Sequence, residues 1–125
     1  MSHARRTYLA GPMSGKPDYN YPAFAETAER LRALGHDVVS PPELNEPDES
    51  RDLPPLHFLR RDIRALLDCD CIAILDGWED SIGARCEIAI AITFGMTFYD
   101  ARGMRMRPPA GVTVSNGYGP LLVAP

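Results

Sequence analysis

Glu87 closes the segment Ser81-Ile82-Gly83-Ala84-Arg85-Cys86-Glu87 and is followed at once by Ile88-Ala89-Ile90-Ala91-Ile92. A carboxylate at such an apolar level of a helix must be paired, hydrogen-bonded or used in chemistry, because unpaired burial is costly or neutralises the group. The residues leave two readings open: a structural ion pair with Arg61, Arg64 or Arg85, or a functional carboxylate. Asp62 carries the same ambiguity, since the arginines around it would also suit a solvated helix face. Asp76 closes an apolar run and Asp80 lies just beyond it. Tyr8, Tyr19, Tyr21 and Trp78 fall at or beside loops, where their rings either stack on a planar base or cover the loops as packing.

Other chemistries fit less well. Gly11-Pro12-Met13-Ser14-Gly15-Lys16-Pro17 resembles a phosphate-binding loop, but only three residues separate its glycines and Pro17 stands where a magnesium-binding Ser or Thr is needed. It stays open as a tight turn or as a glycine turn that brings backbone close to a ligand. No Ser-His-Asp set can be assembled from spacing, and His57 near a helix start reads as a surface or capping residue. Cys69, Cys71 and Cys86 leave one thiol over in any disulfide scheme and lack His at ligand spacing, so they read as reduced core thiols, with no metal site. The formal charge of −4 argues against a nucleic-acid polymer as partner, because phosphate-backbone affinity needs clustered Lys and Arg. No apolar run is long enough to span a bilayer and no signal-peptide core follows Arg5 and Arg6. The expectation is a cytoplasmic protein that binds a small molecule and no membrane.

The elements that must position these residues follow from periodicity. Residues 5–10 read as a strand running into a long Gly- and Pro-punctuated loop, and 22–34 as a helix with Phe24, Ala25, Ala28, Leu31 and Leu34 at helical spacing. Residues 36–40 give a second strand, followed by a second long polar loop. Residues 56–67 give a helix whose apolar stripe is Leu56, Leu59, Ile63, Leu66 and Leu67, with Asp62 off it. Residues 70–76 form a strand apolar enough to be covered on both faces. The third helix, 81–94, takes Ser81 or Asp80 as N-cap and is apolar nearly all round, which suits one face on the sheet and the other on a second subunit. Strands at 96–99 and 111–114 complete the pattern. The chain of 125 residues is expected to be one α/β domain: a flavodoxin-like or Rossmann-like three-layer sandwich with a mainly parallel sheet of four to five strands.

Taken together, YLAGPMSG, FLRRDIRALLDCD and DGWEDSIGARCEIAIA resemble the nucleoside 2-deoxyribosyltransferase superfamily, over roughly residues 5–100. The likeness extends to its short members and to its nucleotide N-glycosidase branch. The resemblance implies that Glu87 is the nucleophile that attacks the anomeric carbon, that Tyr8 orients it and that Asp62 helps hold the substrate. It implies that Ser81 binds a 5′-phosphate and that Gly11, Gly15 and Gly83 bring backbone to the ligand. Met13 and Ser14 complete the loop's substrate-facing set, and Ser115 and Asn116 are the tail's candidates for a site shared with a neighbouring subunit. Ser14 departs from the arginine of nucleotide-hydrolysing relatives, with Lys16 nearby to compensate. The implied function is an N-glycosidic-bond enzyme, hydrolase or transferase, acting on a nucleoside or its 5′-monophosphate. It would use no metal or organic cofactor and form a homodimer or larger homo-oligomer through the third helix and tail. The rival is a nucleotide- or nucleotide-sugar-binding module without turnover.

Overall fold

The computed structural model describes residues 5–50 and 52–114. Strands β1 (Arg6–Ala10), β2 (Asp37–Val39), β3 (Cys71–Ile74), β4 (Thr97–Asp100) and β5 (Arg105–Met106) alternate with helices α1 (Tyr21–Ala33), α2 (Pro55–Leu66) and α3 (Ile82–Thr93) until the last two strands. The sheet order is β2-β1-β3-β4-β5, the first four strands running parallel and β5 antiparallel to β4. This is the flavodoxin-like doubly wound order, with one antiparallel edge strand.

Side-chain alternation along each strand sorts the core into two layers. Leu9, Ala73 and Tyr99 face α1, where they pack with Phe24, Ala28 and Leu31. Tyr8, Ile72 and Phe98 face the other way, toward Leu66 of α2 and Ile88 and Ala91 of α3. The strands are therefore buried on both sides, which is why β3 reads as an unbroken apolar run. Tyr8 pairs in register with Val39 and Ile72 in the middle of the sheet and is fully buried on the α2–α3 side.

Three expectations are corrected. The final strand lies at Arg105–Met106, and none is found at 111–114. Asp100 sets this: its Oδ1 accepts the amides of Arg102 (2.9 Å) and Met104 (3.0 Å), so the chain reverses immediately and pairs back on β4. The apolar stripe of α2 is rotated, with Leu56 and Leu67 57% and 53% exposed while Asp62, placed off the stripe, is buried. The helix turns Asp62 and Leu66, one turn apart, inward. The segment after β2 is also more ordered than a plain loop, since Pro41–Leu44 forms a 3₁₀ turn and Asn45 and Glu49 are tied to Arg61. No helix among the described residues is long and apolar enough to cross a membrane.

The chain leaves β1 through Gly11, whose backbone lies so near β3's end that an added Cβ would sit 2.7 Å from Leu75 Cβ. Leu75 N donates to Ala10 O at 2.8 Å, so neither strand end can easily withdraw. Gly11→Ala is expected to destabilise the fold by about 1–3 kcal/mol through overpacking, read as a lower urea midpoint at unchanged slope.

Candidate active site

The strand order reverses between β1 and β3, because β1 leads outward to β2 and β3 returns on its other side. Open α/β sheets bind ligands in the crevice at the carboxyl ends of the strands flanking such a reversal. Here the loops leaving β1 and β3 meet. Gly77 adopts φ +87°, a left-handed conformation that favours glycine, and a Cβ there would lie 3.3 Å from Pro12 Cγ and 3.9 Å from Lys16 Nζ. The Lys16 ammonium therefore hangs over the start of the β3–α3 connection, with no ion pair among the described residues.

Glu87 enters the same region from above. Ala84, Glu87, Ile88 and Ala91 form the buried face of α3, spaced by three and four residues, so the carboxylate points at the sheet. It meets Tyr8, whose hydroxyl donates to Glu87 Oε2. Glu87 is 5% exposed and Asp62 6%. Burial pushes the Glu87 carboxyl up to about 8; the Tyr8 hydrogen bond opposes that rise and the nearby Asp62 charge adds to it. Asp62 is also held above the usual carboxylate range by burial, against the pull of Arg61. Tyr8 is raised well above the ordinary phenol by burial and then by the Glu87 and Asp62 charges.

The remaining oxygen of Glu87 is informative. Oε1 has no hydrogen-bond partner among the described residues, and no fully buried side-chain oxygen or nitrogen there is left without one. One oxygen is thus fixed by a phenol while the other accepts no hydrogen bond among the described residues. Among the described residues no ion pair involves Glu87, which removes the pairing with Arg61, Arg64 or Arg85. Arg85 instead donates to the Thr113 and Glu79 carbonyls, and Arg61 holds Asp62.

Around this centre Ser81 is the N-cap of α3, its Oγ accepting the Ala84 amide at 3.1 Å while its own proton stays available. Gly83 lies in the first turn, where an added Cβ would be in ordinary contact with Leu59. Ser14 and Gly15 are exposed at the tip of the first loop. Met13 packs on the α1-side core, across the sheet from Glu87, and is better read as a support of the loop. Asn116 and Ser115 lie outside the described residues. Among the described residues no three His, Cys, Asp or Glu side chains are grouped to hold a metal ion. Arg61, Asn45 and Glu49 were not singled out for the site from sequence; the adjacency of Arg61 to Asp62 was the available signal.

At the mouth, Asp18, Tyr19 and Asn20 are three successive left-handed residues, with φ between 52° and 60°. Non-glycine residues pay an energetic penalty there, so the turn must be held by its surroundings. Asn20 Nδ2 donates to Pro12 O at 2.9 Å and Asn45 Nδ2 to the Tyr21 hydroxyl at 2.8 Å, and the Tyr19 and Tyr21 rings lie 5.8 Å apart.

The family described as "Domain of unknown function (DUF4406)" matches residues 5–100. A conserved protein from Enterococcus faecalis has the same fold, with a TM-score of 0.61 at 24% identity, over 78% of this chain and 63% of that one. The present chain thus spans under two thirds of that relative's length. A 2-deoxyribosyltransferase from the psychrotolerant bacterium Bacillus psychrosaccharolyticus superposes with a TM-score of 0.57 at 21% identity, over 82% of this chain and 77% of that one. The likeness bears out the resemblance read from the motifs at the level of the fold. No curated protein matches the chain.

The raised Glu87 carboxyl has a stability consequence. Its proton is retained in the folded state up to about pH 8 but released by the unfolded chain in the ordinary carboxylate range, so stability falls as pH rises between those limits. Glu87→Gln, which cannot titrate, should flatten much of this fall, leaving the smaller contribution of Asp62. Urea midpoints measured at about pH 5 and about pH 8 for both proteins check this.

Proposed function

This chain belongs to the DUF4406 family, and on that premise we propose that it is an N-glycosidic-bond enzyme acting on a nucleoside 5′-monophosphate or nucleoside, with Glu87 as nucleophile. The observation that carries the reading is the buried Glu87, bonded at Oε2 by Tyr8 and accepting nothing at Oε1 among the described residues, beside the reversal of the sheet. In the proposed reaction Oε1 of the ionised Glu87 attacks the anomeric carbon, and the C–N bond breaks with its electron pair leaving on the base, which takes up a proton from water. A glycosyl ester on Glu87 results. Water, or a second base, then displaces Glu87, as in retaining glycoside hydrolysis. Asp62, one oxygen of which is unspent, contacts the base or sugar. The Ser81 hydroxyl, the Lys16 ammonium and the first-turn amides of α3 receive the 5′ end, where a helix start favours an anion. The exposed Ile92 of α3 and Phe94 just beyond its end are where a second copy would pack.

At neutral pH Glu87 is mostly protonated and only its ionised fraction can attack, which also favours a second reading. A neutral carboxyl donates a hydrogen bond, so the pocket would suit a binding module without turnover. Incubation with nucleosides and 5′-monophosphates, followed by chromatography for free base, separates the two. The enzyme reading expects release from the parent and a loss of about a thousandfold or more in Glu87→Ala. Equal release from both proteins would rule out Glu87 as nucleophile, and tight calorimetric binding without release would select the binding module. Exchange with an added second base distinguishes transfer from hydrolysis.

The rate at limiting substrate should climb with pH as Glu87 ionises near pH 8. Tyr8→Phe removes the bond that favours the carboxylate, so its rising limb is expected at higher pH than the parent's; an unmoved limb would contradict the pairing. Gly83 is the second residue of α3, where alanine fits the helical backbone and would stabilise by about 0.4–1 kcal/mol by restricting the unfolded chain. Gly83→Ala should therefore raise the urea midpoint while weakening 5′-monophosphate binding, if backbone at Gly83 meets the ligand; calorimetry on the stabilised variant reads the second effect.

A further inference from the structure

Asp62 is buried, and its cation among the described residues is the adjacent residue along the same helix. Neighbours i and i+1 on a helix point in different directions, so Arg61 must fold back to reach it. It does so with both contacts on one oxygen: Nε at 3.1 Å and Nη2 at 2.9 Å from Asp62 Oδ1. Oδ2 accepts nothing among the described residues. The carboxylate is thus held through one oxygen, with the other left for a further partner.

The folded-back guanidinium is itself held from outside the helix. Nη1 donates to Asn45 Oδ1 at 2.7 Å and to Glu49 Oε1 at 3.1 Å, Nη2 also approaches Pro41 O at 3.4 Å, and Arg61 Cζ lies 5.4 Å from the centre of the Phe58 ring. Glu49 is in turn bonded by His57 at 2.6 Å. Among the described residues the hydrogen bonds to Arg61 from beyond α2 come from residues 41–49, and Asn45 also ties this segment to Tyr21. Asp62 lies close enough for its charge to act on both Glu87 and Tyr8.

We propose that Arg61 is a positioning residue, which, clamped by Asn45 and Glu49, fixes the Asp62 carboxylate so that Oδ2 meets the base or sugar of the substrate. The segment after β2 then belongs to the site through its hold on Arg61. The inference rests on the reading of the site as a nucleoside or nucleotide pocket. A planar fork suits this task and an ammonium does not, because Lys cannot place two donors on one oxygen while bonding a second pair of acceptors.

The test uses the full chain and base release from the common deoxynucleoside 5′-monophosphates and their nucleosides. Arg61→Lys should raise KM about tenfold with kcat changed less than about threefold, and Asn45→Ala, which loosens only the outer clamp, should raise KM about threefold. Urea melts of each variant accompany the kinetics. A merely structural Arg61 would lower the midpoint and leave KM where it was, and that result overturns the proposal, as does full rescue of KM by Lys. If Arg61→Lys does not fold, Asn45→Ala decides by the same KM criterion. A parent that releases no base overturns the enzyme reading and this inference with it, whereas an active parent with unmoved KM in both variants overturns this inference alone.

Discussion

A phenol and a carboxylate share one hydrogen bond between the middle of the sheet and the helix above it, and much of the site's geometry is set by that contact. Tyr8 occupies an inward position on the central strand, so its hydroxyl has no water to turn to. Glu87 occupies the sheet-facing stripe of α3, where an apolar residue would pack with less difficulty. Each group makes the other's burial tolerable, since an unsatisfied donor or acceptor in that layer would cost more than the bond contributes. The pair also fixes the rotation of α3 about its axis: turning the helix by one residue would withdraw the carboxylate and leave Tyr8 unsatisfied. Ser81 and Gly83, at the start of that helix, take their places as a result.

The same arrangement stores acidity. Two carboxyls and a phenol lie within reach of one another, and all three hold their protons more tightly than they would in water. Only Asp62 has an arginine against it. The asymmetry separates the two carboxyls, one governed by a neutral donor and the other by a cation, and sites with paired acids divide labour by such differences in surroundings.

Much of this architecture was legible in the residues. The alternation of strand and helix, the two-sided burial of β3, the Ser81 cap and the awkward burial of Glu87 all come from local pattern, which short-range sterics and capping chemistry enforce. What could not be read depends on groups far apart in sequence. The rotation of α2 is decided by what lies beneath it, so a stripe drawn through Leu56 and Leu67 was as consistent with the sequence as the one the fold uses. β5 exists because Asp100 captures two amides, a detail that yields no hydrophobic period, and it is too short to show one. Arg61 looked like one charge among several on a polar face until residues 41–49 were seen to enclose it. Glu87 could be recognised as unusual, but its partner lay 79 positions away.

The left-handed turn at Asp18, Tyr19 and Asn20 also bears on how the molecule assembles. An unfolded chain visits three such conformations in succession only rarely, and within the turn they are met by local bonds such as Tyr19 N to Lys16 O at 3.1 Å. Asn20 to the Pro12 carbonyl and Asn45 to the Tyr21 hydroxyl add contacts from the end of β1 and from the segment after β2. The rim of the crevice is thus a joint product of two loops far apart in sequence, so a change in either one is felt by the other.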